Sequence, residues 1–169
     1  MPLCKYLHQN IIEAGGEHDG FSCIICAIRN QNVLDNGLIA RVIPEQKRKD
    51  YINSAGLISQ NCFSHDNRCL HKLSTISIND DFEESINTFK KLTGISNLFG
   101  YAEIPVEQIN TECSLLKLIK DNYAYSGNSE LDFPNHCSLV SFGGKNIKEL
   151  NQEFKYKTIL AKLSTLKKL

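Results

Sequence analysis

The run LIARVIP at residues 38–44 constrains this chain most. It is apolar except for Arg41, and Pro44 closes it. Asp35, Asn36 and Gly37 precede it, and Asn and Gly tolerate the positive φ of a tight turn. Short length, β-branched content and turn residues at the front predict a strand. The run FSCIICAI at 21–28, bounded by Gly20 and by Arg29 and Asn30, predicts a second, buried strand by the same criteria.

The other segments mix both periodicities. An amphipathic stretch at 6–12 stops at Gly15 and Gly16. Residues 45–53 read as a short charged helix, with Gly56 as a left-handed stop just beyond. Residues 61–72 are polar, rich in His and Cys, and aperiodic, so a loop is expected. Residues 73–78 suit a half-buried strand. Asp80 or Asp81 can cap a helix whose first turn carries Glu83 and Glu84. In it, Phe82, Ile86, Phe89 and Leu92 form a core-facing stripe, and Gly94 can end it. Residues 99–106 alternate Ala102, Ile104 and Val106 against Tyr101 and Glu103. Pro105 places that strand at an edge or ends its pairing.

A short turn or helix starts at 106–109, and residues 115–119 fit a strand or a helix. A long polar loop is expected over 122–135 and a strand over 136–142. A final helix is expected from 147 to 169, with Leu150, Phe154, Ile159, Leu160 and Leu163 facing the core and its lysines facing out. Strands and helices therefore mix without clean βαβ alternation. This predicts an α+β fold in a single domain, 1–169: a mixed or antiparallel sheet packed by helices, with an N-terminal helical extension at 1–20 and a C-terminal helix.

Composition narrows the classes of function. The 169 residues carry 19 basic and 19 acidic side chains, so no whole-chain charge draws nucleic acid or an anionic membrane. No run of 18 apolar residues exists, which excludes a spanning helix of the usual kind. The seven cysteines are odd in number and irregularly spaced, and the N-terminus lacks a secretory pattern. Free thiols in a reducing, cytoplasmic setting are expected.

Several groups invite a chemical reading. Cys23 and Cys26 have the spacing of a zinc knuckle, which Cys62, Cys69 and His71 could complete. Against this, a strand aims positions three apart to opposite faces, and cysteine is commonly buried without a ligand. His65, Cys69 and His71 could form a metal or Cys–His site, or simply a solvated loop. The C-terminal lysines could meet phosphate, or form the wet side of an amphipathic helix. Arg41 inside an apolar strand needs a carboxylate, a phosphate, solvent or a salt bridge such as Glu103. His136 opens another strand after Pro134 and Asn135, and Ser74 and Ser77 stand on a third. If those strands are neighbours, arginine, serine and histidine converge on one pocket.

Arg41 on its strand, the helix and turn running through Gly56, Leu57 and Ser59 to Phe63, and then Leu73 and Ser74, resemble the opening of small ADP-ribosyltransferase-type domains. RNA 2′-phosphotransferases and DNA-modifying transferase toxins are similar here. With Pro134 and His136 added, the chain also resembles short uncharacterised bacterial proteins. The resemblance implies NAD as cofactor or substrate and cleavage of its nicotinamide–ribose bond. Arg41 would anchor phosphate or ribose, with Gly56 and Phe63 also at the cofactor. Ser74 would orient the ribose, and Glu103 or His136 would serve the developing cation or act as acid/base. It implies a transferase, as a toxin or phage-defence effector. The glutamate such chemistry needs is not identifiable by position. Two other readings stand beside it: a non-catalytic module (antitoxin, immunity or adaptor protein) binding a partner through an edge strand or the C-terminal helix, and a zinc-stabilised nucleic-acid binder.

Overall fold

The computed structural model describes residues 33–64, 72–114, 116–120, 122–126, 129–141 and 153–169. The expected strand at 21–28, the helical extension at 1–20 and the His/Cys-rich segment 65–71 lie outside the described residues, as does Leu150. The described strands are β1 (Leu38–Pro44), β2 (Lys72–Ile78), β3 (Leu98–Pro105), β4 (Leu116–Lys120), β5 (Tyr123–Ser126), β6 (Ser129–Asp132), β7 (His136–Ser141) and β8 (Thr165–Lys168). The helices are α1 (Arg48–Tyr51), α2 (Phe82–Thr93), α3 (Val106–Glu112) and α4 (Glu153–Leu163), with 3₁₀ turns at Glu45–Lys47 and Gln60–Phe63.

Six strands form one antiparallel sheet in the order β4-β7-β2-β1-β3-β8, and β5 and β6 form a separate hairpin. The α+β class is therefore correct, and the sheet is antiparallel. β1 follows the Gly37 turn at φ 89° and ends at Pro44, which has no N–H to give the ladder.

Alternation along the strands separates two faces. One face carries Ile39, Ile43, Leu73, Ala102, Ile104, Leu116, Leu118, Cys137 and Leu139, covered by α3, α4 and the 60–63 turn through Ile109, Tyr156, Leu160 and Phe63. The other carries Val42 and Ile76, covered by α2 through Ile86, with Phe82, Phe89 and Leu92 packed beside it. Each fully buried aliphatic side chain contributes about 1.5–3 kcal/mol by leaving water, so the larger first face dominates stability.

Helix α2 follows its sequence signals closely. Glu83 and Glu84 sit in its first turn, Lys90 and Lys91 in its last, and Gly94 ends it at φ 71° with its N–H donating to the Lys90 carbonyl. Asp81 is the capping residue, but its side chain makes no capping bond. Asn79 Oδ1 instead accepts from the Asp81 N–H at 3.0 Å.

The structure corrects some sequence expectations and decides others that were open. The segment 122–135 is not one loop, because β5 and β6 pair within it. Gly127 and Asn128 stand between them, a dipeptide of the hairpin-turn class. Of the strand and helix readings open for 115–119, the described residues 116–119 are strand, within β4. Of the two readings of Pro105, the structure has the second: β3 is not an edge, since it lies between β1 and β8, and the proline stands at its last position, where pairing ends. The terminal helix stops at Leu163 and the chain continues as β8. Leucine and lysine are good helix formers, but local propensity is a weak determinant, and pairing with β3 outweighs it. Within α4, Leu160 is buried as expected, but Phe154 is 72% exposed and Tyr156 takes the inward place. Among the described residues no helix is long and apolar enough to cross a membrane.

Candidate functional site

Arg41 lies on the face of Ile39 and Ile43, and its guanidinium is engaged by backbone. Nε donates to the Cys62 carbonyl at 3.1 Å, and one terminal nitrogen donates to the Ser74 carbonyl at 3.0 Å. The pairing register of β1 with β2 runs from Leu38↔Ile78 to Ala40↔Ile76. Arg41 is the next residue, and its side chain bridges β1, β2 and the 60–63 turn. The salt bridge suggested with Glu103 is not made, since Glu103 pairs with Lys167 at 3.9 Å.

Ser74 contributes its carbonyl to Arg41. Its side chain belongs to the opposite face, because Ser74 pairs with Ser138 two residues from the Ile76↔His136 pair and so shares that pair's face. His136 is 2% exposed on that face, against the Phe133 ring at 5.2 Å. Glu103 shares the His136 face but is far along it. The registers His136↔Ile76, Ile76↔Ala40 and Ala40↔Glu103 form one row across the sheet. Three strand spacings of about 4.8 Å separate the two ends by about 14 Å, with Ile76 and Ala40 between. Thus the sheet divides the arginine from the histidine, and the fold does not bring the four polar groups into one hollow.

The residues proposed to hold a cofactor have structural placements. Gly56, at φ 77°, completes a tight turn in which Asn53 Oδ1 accepts from the Ala55 and Leu57 N–H groups. Phe63 is fully buried in the larger core. Cys62 is likewise buried, and burial pushes its thiol up to about 11 although the nearby Arg41 charge pulls the other way. A thiol held protonated is a poor metal ligand and nucleophile. Cys23, Cys26, Cys69 and His71, the other ligands considered for zinc, lie outside the described residues. Among the described residues no group of three or more His, Cys, Asp or Glu side chains is placed to hold a metal.

A polar cluster missed by the sequence reading surrounds the turn before β7. Asn135 adopts a left-handed φ of 68°. Its Nδ2 donates to Ser85 Oγ at 3.1 Å, and its Oδ1 accepts from Asn79 Nδ2 at 2.8 Å. Its N–H donates to Asn122 Oδ1 at 3.1 Å, and its carbonyl accepts from the Ser77 N–H at 2.8 Å. The cluster joins α2, β2 and β7. The signal available in sequence was the Pro134–Asn135 pair, since asparagine tolerates left-handed backbone better than most residues.

The two ends of the sheet differ. Val33 forms a bridge with Ile119, and the Leu34 N–H donates to the Leu118 carbonyl at 2.8 Å, so the outer side of β4 is occupied. β8 pairs with β3 from Glu103↔Thr165 to Gly100↔Lys168 and, among the described residues, with nothing on its other side. Gly100 lets β8 approach: a Cβ there would run into the Lys167 carbonyl oxygen. Thr165, Lys167 and Lys168 are exposed. On one face Lys168 lies over the Phe99 ring, which Arg48 also covers at 4.3 Å.

Just beyond β8, Leu169 helps line an open cleft of about 390 Å³ with Glu45, Lys90, Ser96, Asn97 and Leu98. No residue predicted from the sequence to be functional lines that cleft. Comparison with protein families, with curated proteins and with solved structures finds no match to this chain.

Proposed function

We propose that this protein is a non-catalytic binding module that captures an extended segment of another polypeptide by adding it to the edge of β8. The supporting observation is the asymmetry of the sheet: β4 is closed by Val33 and Leu34, whereas β8 offers a free row of backbone donors and acceptors among the described residues. Strand addition satisfies such groups and derives affinity from main-chain hydrogen bonds. The separation of Arg41 from His136 supports the same reading, because the Arg41 guanidinium is already engaged by two backbone carbonyls.

The test is selection of peptides from a displayed library, followed by amide mapping of each complex. Peptides in extended form should shift and protect the amides of 165–168. Binders that map only to the α2 face, or the absence of any binder, would overturn the reading. Thermal stabilisation by millimolar NAD, abolished in Arg41→Ala, would favour the transferase that the sequence resembles.

A further inference from the structure

From the charge pattern of β8 we infer that the captured segment is acidic, with two consecutive carboxylate residues followed by an apolar one. This rests on the strand-addition reading above and specifies its partner.

Side chains alternate along β8, so its outer edge offers a different group on each face at each step. Lys167 lies on the face of Glu103 and Lys168 beside Phe99. Leu166, half-buried against the larger core, shares a face with Ala102, its partner in β3. Thr165 shares the face of Lys167. Every pairing in the six-stranded sheet is antiparallel, and an added strand of the same sense meets Lys168 first. Read from its N-terminus it places an acidic residue opposite Lys168 and a second opposite Lys167. An apolar residue then covers Leu166, and a β-branched polar residue meets Thr165. Directly opposed unlike charges stabilise such pairs and like charges destabilise them.

The lysines also argue against a second copy of this chain as the occupant. Antiparallel self-pairing in full register sets Lys168 opposite Thr165 and Lys167 opposite Leu166, which leaves all four lysines with no acid on β8 itself. Glu103, the carboxylate paired with Lys167, lies 3.9 Å from it on the inner side. Edge lysines thus repel self-association while leaving the edge open to a segment of opposite charge.

The test uses the full chain and two synthetic peptides that differ only in a core, EEVT or KKVT, read by fluorescence anisotropy and by amide exchange at 165–168. The EEVT peptide should bind at least about tenfold more tightly than KKVT, and rising salt should narrow the difference. The variant Lys167→Glu/Lys168→Glu should reverse the preference. Lys167→Gln/Lys168→Gln, which avoids a new repulsion with Glu103, should abolish it. Equal protection of 165–168 by both peptides would overturn the charge inference and leave strand addition standing. Protection by neither would overturn both. Dimerisation through β8, or displacement of EEVT by a short RNA homopolymer, would overturn the choice of occupant.

Discussion

Replacing Arg41 by methionine separates a structural arginine from a ligand-binding one. The methionine keeps much of the apolar stem and removes both guanidinium bonds, to the Cys62 carbonyl at 3.1 Å and the Ser74 carbonyl at 3.0 Å. A hydrogen bond to a charged donor is worth about 1.5–3 kcal/mol. The Ser74 bond is exposed, so water replaces most of it. The Cys62 bond is partly buried and its loss is felt more fully. The expected cost is therefore about 2 kcal/mol, or a fall in Tm of about 4–8 °C for a chain of this size. Urea unfolding followed by circular dichroism should show a lower midpoint at unchanged slope. Arg41→Lys, which can replace only one of the bonds, should recover about half. A stability within about 0.5 kcal/mol of wild type would refute the reasoning, and Arg41 would again be free to serve a ligand.

Gly100→Ala should cost about 1–3 kcal/mol through overpacking against β8, and exchange at 165–168 should rise before that of the rest of the sheet. Asn135→Ala should destabilise by about 2–4 kcal/mol, losing both side-chain bonds and the residue best suited to φ 68°. Asn135→Gly, which restores only the backbone freedom, should fall between it and wild type in thermal unfolding. Cys62 and Cys113, each pushed up by burial to about 11 from the usual 9.0, should react with a maleimide at pH 8 only after denaturation. The unfolded thiols ionise first as pH rises, so their contribution to stability is intact below about pH 9 and is lost towards pH 11. The urea midpoint should decline across that window and decline less in Cys62→Ala.

Where local physics is sufficient, the sequence already carried the answer. Pro44 and the Asn36–Gly37 turn delimit β1, the 4-3-3 apolar spacing and Gly94 delimit α2, and alternation orders the faces of β3. Each depends on residues within one turn or one strand of each other. The charge balance and the absence of a long apolar run are properties of the chain whatever its fold.

Tertiary contact decided the rest. Arg41 stood out as an unpaired cation in an apolar run, but its acceptors lie 21 and 33 residues away, and carbonyls carry no side-chain signature. Arg41, Ser74 and His136 lie on β1, β2 and β7, which are consecutive in the sheet as their convergence requires. The pleat nevertheless sends the Arg41 side chain to one face and those of Ser74 and His136 to the other. β8 owes its existence to Gly100, whose missing Cβ admits the Lys167 carbonyl. A stretch rich in helix-forming leucine and lysine takes its conformation from the partner it pairs with, and that partner is 62–68 residues earlier in the chain.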